Sequence, residues 1–305
     1  MTTINCMNLR RATEEISLFA RGYAPVANLS VNTVCNQRCL ICQRWKMHWQ
    51  KESDKLSLPE IKDMVYQLVK DLHVKRFRIT STEPLLRPDL PEIIAYIRQF
   101  TGCSLITNGM AMTGEMARRL IDADVSKVRF SVDSPNQVND VLRGVKGAWE
   151  RSRRGIEIMK EVRDKKGKPY PEIDIYTVLT KLNIGYIPDM YRFVAEMGLD
   201  GLAFGVVWEN TPEGVDGTVW KGRKIARNHM IPVEESLKPT PGQIKELREE
   251  LVQMGLITRG TERTKKAIER ILRLMGGRRR IFRCPYHYFI NVDPVGNFIP
   301  CTAMG

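Results

Sequence analysis

Between residues 28 and 208 the chain alternates short β-branched runs with amphipathic helical stretches six times in succession, and few folds accept that order. NLSVNTV (28–34), RFRITS (76–81), SLITN (104–108), KVRFSVD (127–133), EIDIYTVLT (172–180) and GLAFGVVW (201–208) read as strands. Between the first two lies SLPEIKDMVYQLV, with Ser57 and Glu60 in capping-box spacing and Ile61, Met64, Val65 and Leu68 on one helical face. PDLPEIIAYIRQF, EMARRLIDA and segments near 147–164 and 187–197 supply the remaining helices. Strands separated by crossover helices pair in parallel, so the expected class is α/β. Ligands in such folds sit on the loops that follow the carboxyl ends of the strands. Cys35, Glu83, Asn108, Asp133, Asn183 and Trp208 all fall just past those ends and are expected on one rim.

The first of these loops, CNQRCLICQRW (35–45), places Cys35, Cys39 and Cys42 in a C-x3-C-x2-C spacing. Three clustered thiols imply a shared metal wherever thiols stay reduced. Structural zinc asks for four ligands, and a fourth would have to come from His48 or from a distant residue. Three cysteines on one loop can instead hold three irons of a 4Fe-4S cluster and leave the fourth open. An open iron is useful where a substrate must bind metal. No apolar run reaches the ~20 residues of a membrane helix, and the amino-terminal segment is interrupted by charges throughout. A cytoplasmic protein without a membrane partner is expected.

The other strand ends carry matching motifs. ITSTEPLLRPDL (79–90), SLITNGM (104–110), FSVDS with DVLRGVKG (130–134 and 140–147) and YTVLTKLN (176–183) follow the thiol loop in order. Over about residues 25–210 the chain thereby resembles the radical S-adenosylmethionine (radical SAM) superfamily. The resemblance implies a partial (βα)6 TIM-like barrel of parallel strands. It implies an enzyme that cleaves S-adenosylmethionine reductively and abstracts hydrogen from a substrate through a 5′-deoxyadenosyl radical. Cys35, Cys39 and Cys42 would ligate the cluster. Glu83, with the backbone of Ser81 and Thr82, would hold the methionine amino group. Ser131 would meet the ribose or carboxylate region, Arg143 would pair with the carboxylate, and Asn183 would line the adenosine side. Two positions depart from the family pattern. Ser81-Thr82 stand where Gly-Gly is usual, and Ile41 stands where an aromatic residue usually flanks adenine.

Beyond the core, KPTPGQIKELREELVQMGL opens with Thr240 and Gln243 in capping-box spacing and Pro241 at the first helical position. CPYHYFINVDPVGNFIPC (284–301) reads as a β-hairpin turning at Val295-Gly296-Asn297. Its Cys284 and Cys301 resemble the start of an auxiliary-cluster (SPASM or twitch) domain, which needs further cysteines. Two readings follow: a truncated form, or a protein without a complete auxiliary site. The expectation is one firm cluster and at most a labile second. Cys6 and Cys103 read as structural. The expected organisation is an amino-terminal extension (1–24), the barrel core (25–215), a basic linker (216–240) and a small α+β extension containing the hairpin (241–305).

Forty-eight Lys and Arg against 35 Asp and Glu give a net charge of +13, and ten of the basic residues lie between 259 and 283. This charge suits an acidic leader peptide or a phosphorylated small molecule. The implied partners are a peptide or small-molecule substrate and an electron donor such as flavodoxin or ferredoxin. A tRNA substrate rests on the basic segment alone. The alternative of another class is a non-catalytic iron–sulfur or zinc protein that binds nucleic acid.

Overall fold

The computed structural model describes residues 26–42, 45, 51–80, 82–206, 219–220, 223–224, 237–256, 268–269, 272, 289–296 and 298–299. Cys6, His48, Ser81, Trp208, Cys284 and Cys301 lie outside the described residues, as does most of the basic segment 259–283. Six parallel strands run in sequence order: β1 (Val26–Leu29), β2 (Arg76–Ile79), β3 (Gly102–Thr107), β4 (Lys127–Ser131), β5 (Glu172–Leu179) and β6 (Gly201–Val206). The helices α1 (Leu58–Lys70), α2 (Leu90–Arg98), α3 (Gly114–Asp122), α4 (Val138–Arg143), α5 (Ala148–Lys165) and α6 (Ile187–Glu196) lie between them. The capping box forms at α1, where Glu60 accepts from the Ser57 backbone N–H at 2.8 Å.

The first strand is shorter than its sequence pattern. Asn32 turns its amide to the Glu83 carbonyl at 2.8 Å and the Thr33 N–H donates to Glu52 at 2.9 Å, so the backbone leaves the ladder after Leu29. Cys35 therefore sits on a loop of its own rather than at the strand tip. Side-chain hydrogen bonds to backbone groups compete with the ladder in this way.

Alternation along the strands gives the sheet two unlike faces. Val128 and Phe130 of β4, Leu105 of β3 and Ile173 and Ile175 of β5 join the helices in one apolar core. Lys127, Arg129 and Ser131, and Glu172, Asp174 and Tyr176, fall on the opposite, inner face.

The carboxyl-terminal hairpin widens this sheet. Its first strand β7 (Phe289–Val292) pairs in parallel with β1, Val26 opposite Phe289, and β8 (Phe298–Ile299) returns antiparallel. Gly296, at φ 90°, and the Asp293–Gly296 hydrogen bond of 3.1 Å make the turn. The helix α7 (Pro241–Gln253) packs Leu247 and Leu251 on Leu179, Ile184 and Ile187, at the other side of the sheet. Among the described residues no helix is long and apolar enough to cross a membrane.

Phe130 is fully buried between sheet and helices. Phe130→Ala should cost about 3–5 kcal/mol by urea unfolding, whereas Val141→Ala, at a 57% exposed position, should change stability by less than about 0.5 kcal/mol. Equal effects at the two positions would contradict the core assignment.

Candidate active site

The three clustered cysteines are free thiols held on one loop that has almost no regular secondary structure of its own. Its backbone is satisfied from elsewhere. The Arg38 N–H donates to the Arg143 carbonyl at 3.0 Å and the Leu40 N–H to the Leu142 carbonyl at 2.9 Å, so the last turn of α4 seats the loop. Gly144 follows at φ 64°, and a Cβ there would lie 2.3 Å from the Arg38 carbonyl oxygen. Both the left-handed backbone and the close approach require glycine.

Burial sets the character of the thiols. It pushes Cys35 up to about 12, with the neighbouring Glu83, Cys39 and Cys42 adding to the rise and the Gln37 N–H opposing it. Burial also pushes Cys39 up to about 11, opposed first by the Arg143 guanidinium. The Gln37 N–H reaches the Cys35 sulfur at 3.4 Å, and the Cys39 thiol donates to the Gln37 side chain at 3.5 Å. Among the described residues no three Cys, His, Asp or Glu side chains converge on a point as a single ion requires. Three free thiols on one loop form an all-sulfur donor set, the kind that iron–sulfur clusters take.

Glu83 knits the next loops together. Its buried carboxylate accepts from the Leu85 N–H at 3.0 Å, the Thr107 hydroxyl at 2.5 Å and the Asn108 N–H at 2.7 Å. Burial pushes this carboxyl up, and those three donors oppose the shift. Asn108 donates in turn to Asn36 of the thiol loop at 2.6 Å, and Thr82 donates to the Asn32 carbonyl at 2.7 Å. The loops after β1, β2 and β3 thus form one hydrogen-bonded unit.

A second unit joins the loops after β4 and β5. Asp133 lies fully buried, with Oδ2 2.8 Å from Arg143 Nε and Oδ1 accepting from the Val178 N–H at 2.9 Å. Asn183 donates to the Asp133 and Val178 carbonyls at 2.7 and 2.9 Å, and its oxygen accepts from the Thr180 N–H and hydroxyl. All four hydrogen-bonding positions of Asn183 are filled by the protein, so this side chain shapes the loop and offers a ligand no polar atom. Ser131 sits half-buried at the end of β4 on the inner face. Ile41 is half-buried beside Cys42.

Below this rim the inner face is charged. Arg129 grips Asp174 with two hydrogen bonds of 2.9 and 2.6 Å, and Lys127 pairs with Glu172 and Asp174 at 2.9 and 2.8 Å. The Arg129 guanidinium lies 5.6 Å from the centre of the Tyr176 ring. A Cβ on Gly205 would meet the Tyr176 hydroxyl at 2.3 Å, so the glycine on β6 makes room for that ring. The barrel interior is therefore a polar, partly solvated floor beneath the rim.

Sequence reasoning put Cys35, Glu83, Asn108, Asp133, Asn183 and Trp208 on one rim, and the structure places the first five on the loops after β1 to β5, with Trp208 outside the described residues. Sequence reasoning missed Asn32, Gln37 and Arg87. Arg87 is fully buried and donates to the Val31 and Leu56 carbonyls at 2.6 and 2.9 Å, while binding Asp89. The segment PLLRPDL carried that residue, but a buried arginine among loop carbonyls leaves no periodic signal. Cys103, 1% exposed within the apolar core, takes no part in the site.

Comparisons with known proteins bear on the family and the fold. The family model for the radical SAM superfamily matches residues 29–206, more than half of the chain. The AdoMet-dependent heme synthase of Oleidesulfovibrio alaskensis is 31% identical over 197 residues, covering 63% of this chain and 47% of the relative. The mycofactocin maturase of Mycolicibacterium smegmatis is 26% identical over 244 residues, covering 79% of this chain and 55% of the relative. The chain spans about half the length of the curated relatives it matches. Among solved structures, anSMEcpe with bound AdoMet and a Cp18Cys peptide superposes with a TM-score of 0.63 at 16% identity, covering 92% of this chain and 74% of that one. Streptococcus suis SuiB bound to its precursor peptide SuiA gives 0.62 at 16% identity, over 99% and 68% of the two chains. These two share the fold.

Gly144→Ala should displace the thiol loop from its seat while leaving the barrel folded. The expected outcome is a normal far-ultraviolet circular dichroism spectrum and at least a severalfold loss of iron bound after anaerobic reconstitution. Full iron loading in this variant would contradict the close approach.

Proposed function

The chain belongs to the radical SAM superfamily, and from that premise we propose that it is an enzyme that cleaves S-adenosylmethionine and removes a hydrogen atom from a polar substrate. The observation that carries this reading is the loop of three free thiols seated above a charged barrel interior. Cys35, Cys39 and Cys42 hold the 4Fe-4S cluster. When bound, the cluster and S-adenosylmethionine together supply the 5′-deoxyadenosyl radical that abstracts hydrogen.

This chain's own residues position the reactants. The backbone of Ser81 and Thr82 would hold the methionine amino group, and Glu83 offers Oε2, which accepts one protein hydrogen bond and has a lone pair left. Ser131 meets the ribose or carboxylate region, and Arg143 provides a charge-assisted donor for the carboxylate. Ile41 packs on the adenine side through its aliphatic side chain. Asn183 lines the same side indirectly, by fixing the loop whose backbone faces it. Holding the reacting atoms in one geometry, with water excluded, is what the protein adds to the cofactor's chemistry.

The substrate is a peptide, or the precursor of a cofactor or natural product. Arg129, Lys127, Glu172 and Asp174 on the barrel floor suit a polar molecule with charged groups. A mycofactocin maturase among the sequence relatives, and a solved SuiB complex with a precursor peptide among the structural neighbours, support the same class. An electron donor such as flavodoxin or ferredoxin completes the reaction.

Anaerobically reconstituted protein, given S-adenosylmethionine and dithionite, should release 5′-deoxyadenosine, quantified by mass spectrometry. The combined Cys35→Ala, Cys39→Ala and Cys42→Ala variant should lose both the brown chromophore and all release. Release that survives in the triple variant would overturn the proposal, and so would a parent that binds zinc and stays colourless.

A further inference from the structure

Arg143 occupies an unusual position for a residue expected only to meet a ligand's carboxylate. It is the last residue of α4, 7% exposed, and its own carbonyl is one of the two that seat the thiol loop. Its guanidinium is buried at the seat of the thiol loop, close enough to Cys39 for its charge to oppose the rise that burial imposes on that thiol. On its other side Nε stands 2.8 Å from Asp133 Oδ2, an approach without hydrogen-bond alignment, so that both atoms are buried with charge alone between them. Asp133 is held in turn by the Val178 N–H at 2.9 Å, and its own N–H donates to Asn139 at 2.8 Å. The chain has thus fixed a cation at the seat of the loop that carries Cys39 and an anion behind that cation, both out of water.

We propose that the Arg143–Asp133 pair sets the reduction potential of the cluster, with Arg143 as a positioning residue whose charge stabilises the added electron and Asp133 as its counterweight. The proposal rests on the cluster assignment made above for Cys35, Cys39 and Cys42. A buried positive charge next to cluster sulfur favours the reduced, more negative state. Hydrogen bonds to the sulfurs, net charge and solvent access are the protein's known levers on such potentials. The effect is strong here because burial removes the screening that water would supply. Asp133 opposes it, and the balance leaves the cluster reducible without making its electron too stable to pass to the sulfonium.

The test is the midpoint potential of the reconstituted full chain, followed by electron paramagnetic resonance and measured without S-adenosylmethionine. Under that condition, a role confined to the methionine carboxylate would leave the potential unmoved. Arg143→Met should keep its iron and sulfide and lower the reduction equilibrium constant about tenfold, which is ~59 mV for one electron. Arg143→Lys should recover most of that shift, and Asp133→Asn should move the potential the opposite way. Equal midpoints in the parent, Arg143→Met and Asp133→Asn would overturn the proposal while leaving the superfamily reading intact. Should Arg143→Met fail to assemble a cluster, Arg143→Lys and Asp133→Asn decide, and an unmoved Asp133→Asn overturns it. A parent that assembles no four-iron cluster overturns both readings.

Discussion

Two backbone hydrogen bonds, from Arg38 to Arg143 and from Leu40 to Leu142, hold a loop that cannot hold itself. A segment carrying one buried and two half-buried thiols has no helix or strand to satisfy its amides, and each buried amide left unpaired would cost about 1–3 kcal/mol. The end of α4 supplies the acceptors, and Gly144 removes the Cβ that would block the approach. The loop after β4 is in turn anchored by Asp133 and Asn183 to the loop after β5. The thiols' positions therefore depend on four successive strand ends, although all three belong to one short sequence.

The sheet contributes by having two faces with opposite tasks. Val128, Phe130, Ile173 and Ile175 bury themselves against the helices and fix where the strands end. Arg129, Asp174 and Tyr176, one residue out of phase, keep the interior polar. A parallel sheet covered by helices on both faces would bury apolar residues on both. Here the inner face of β4 and β5 carries the Lys127–Glu172 and Arg129–Asp174 ion pairs instead of a second apolar layer.

Much of this was legible in the sequence because its causes are local. Strand–helix alternation, the capping boxes at Ser57 and Thr240 and the cysteine spacing are each written within a few residues. The ordered motifs gave the family for the same reason. Long-range satisfaction was harder to read. Nothing in NLSVNTV announces that Asn32 will turn to Glu83, 51 residues away, and end the strand early. Asn183 followed a strand as expected, yet only the structure reveals that its four bonding positions are already taken. The hairpin was visible in VDPVG, but its partner was not. β7 pairs with β1 across 263 residues, with Asn28 opposite Asn291 and their side chains 2.8 Å apart.

The central claim is that the thiol loop presents an iron to which S-adenosylmethionine binds directly. Electron paramagnetic resonance of the reduced, reconstituted protein tests this most directly, with and without S-adenosylmethionine labelled with nitrogen-15 at the amino group. A changed g-tensor on addition, with hyperfine coupling to the labelled nitrogen, is the result expected of an amino group on the open iron. A cluster signal that is identical with and without S-adenosylmethionine, and uncoupled to the label, would contradict the account.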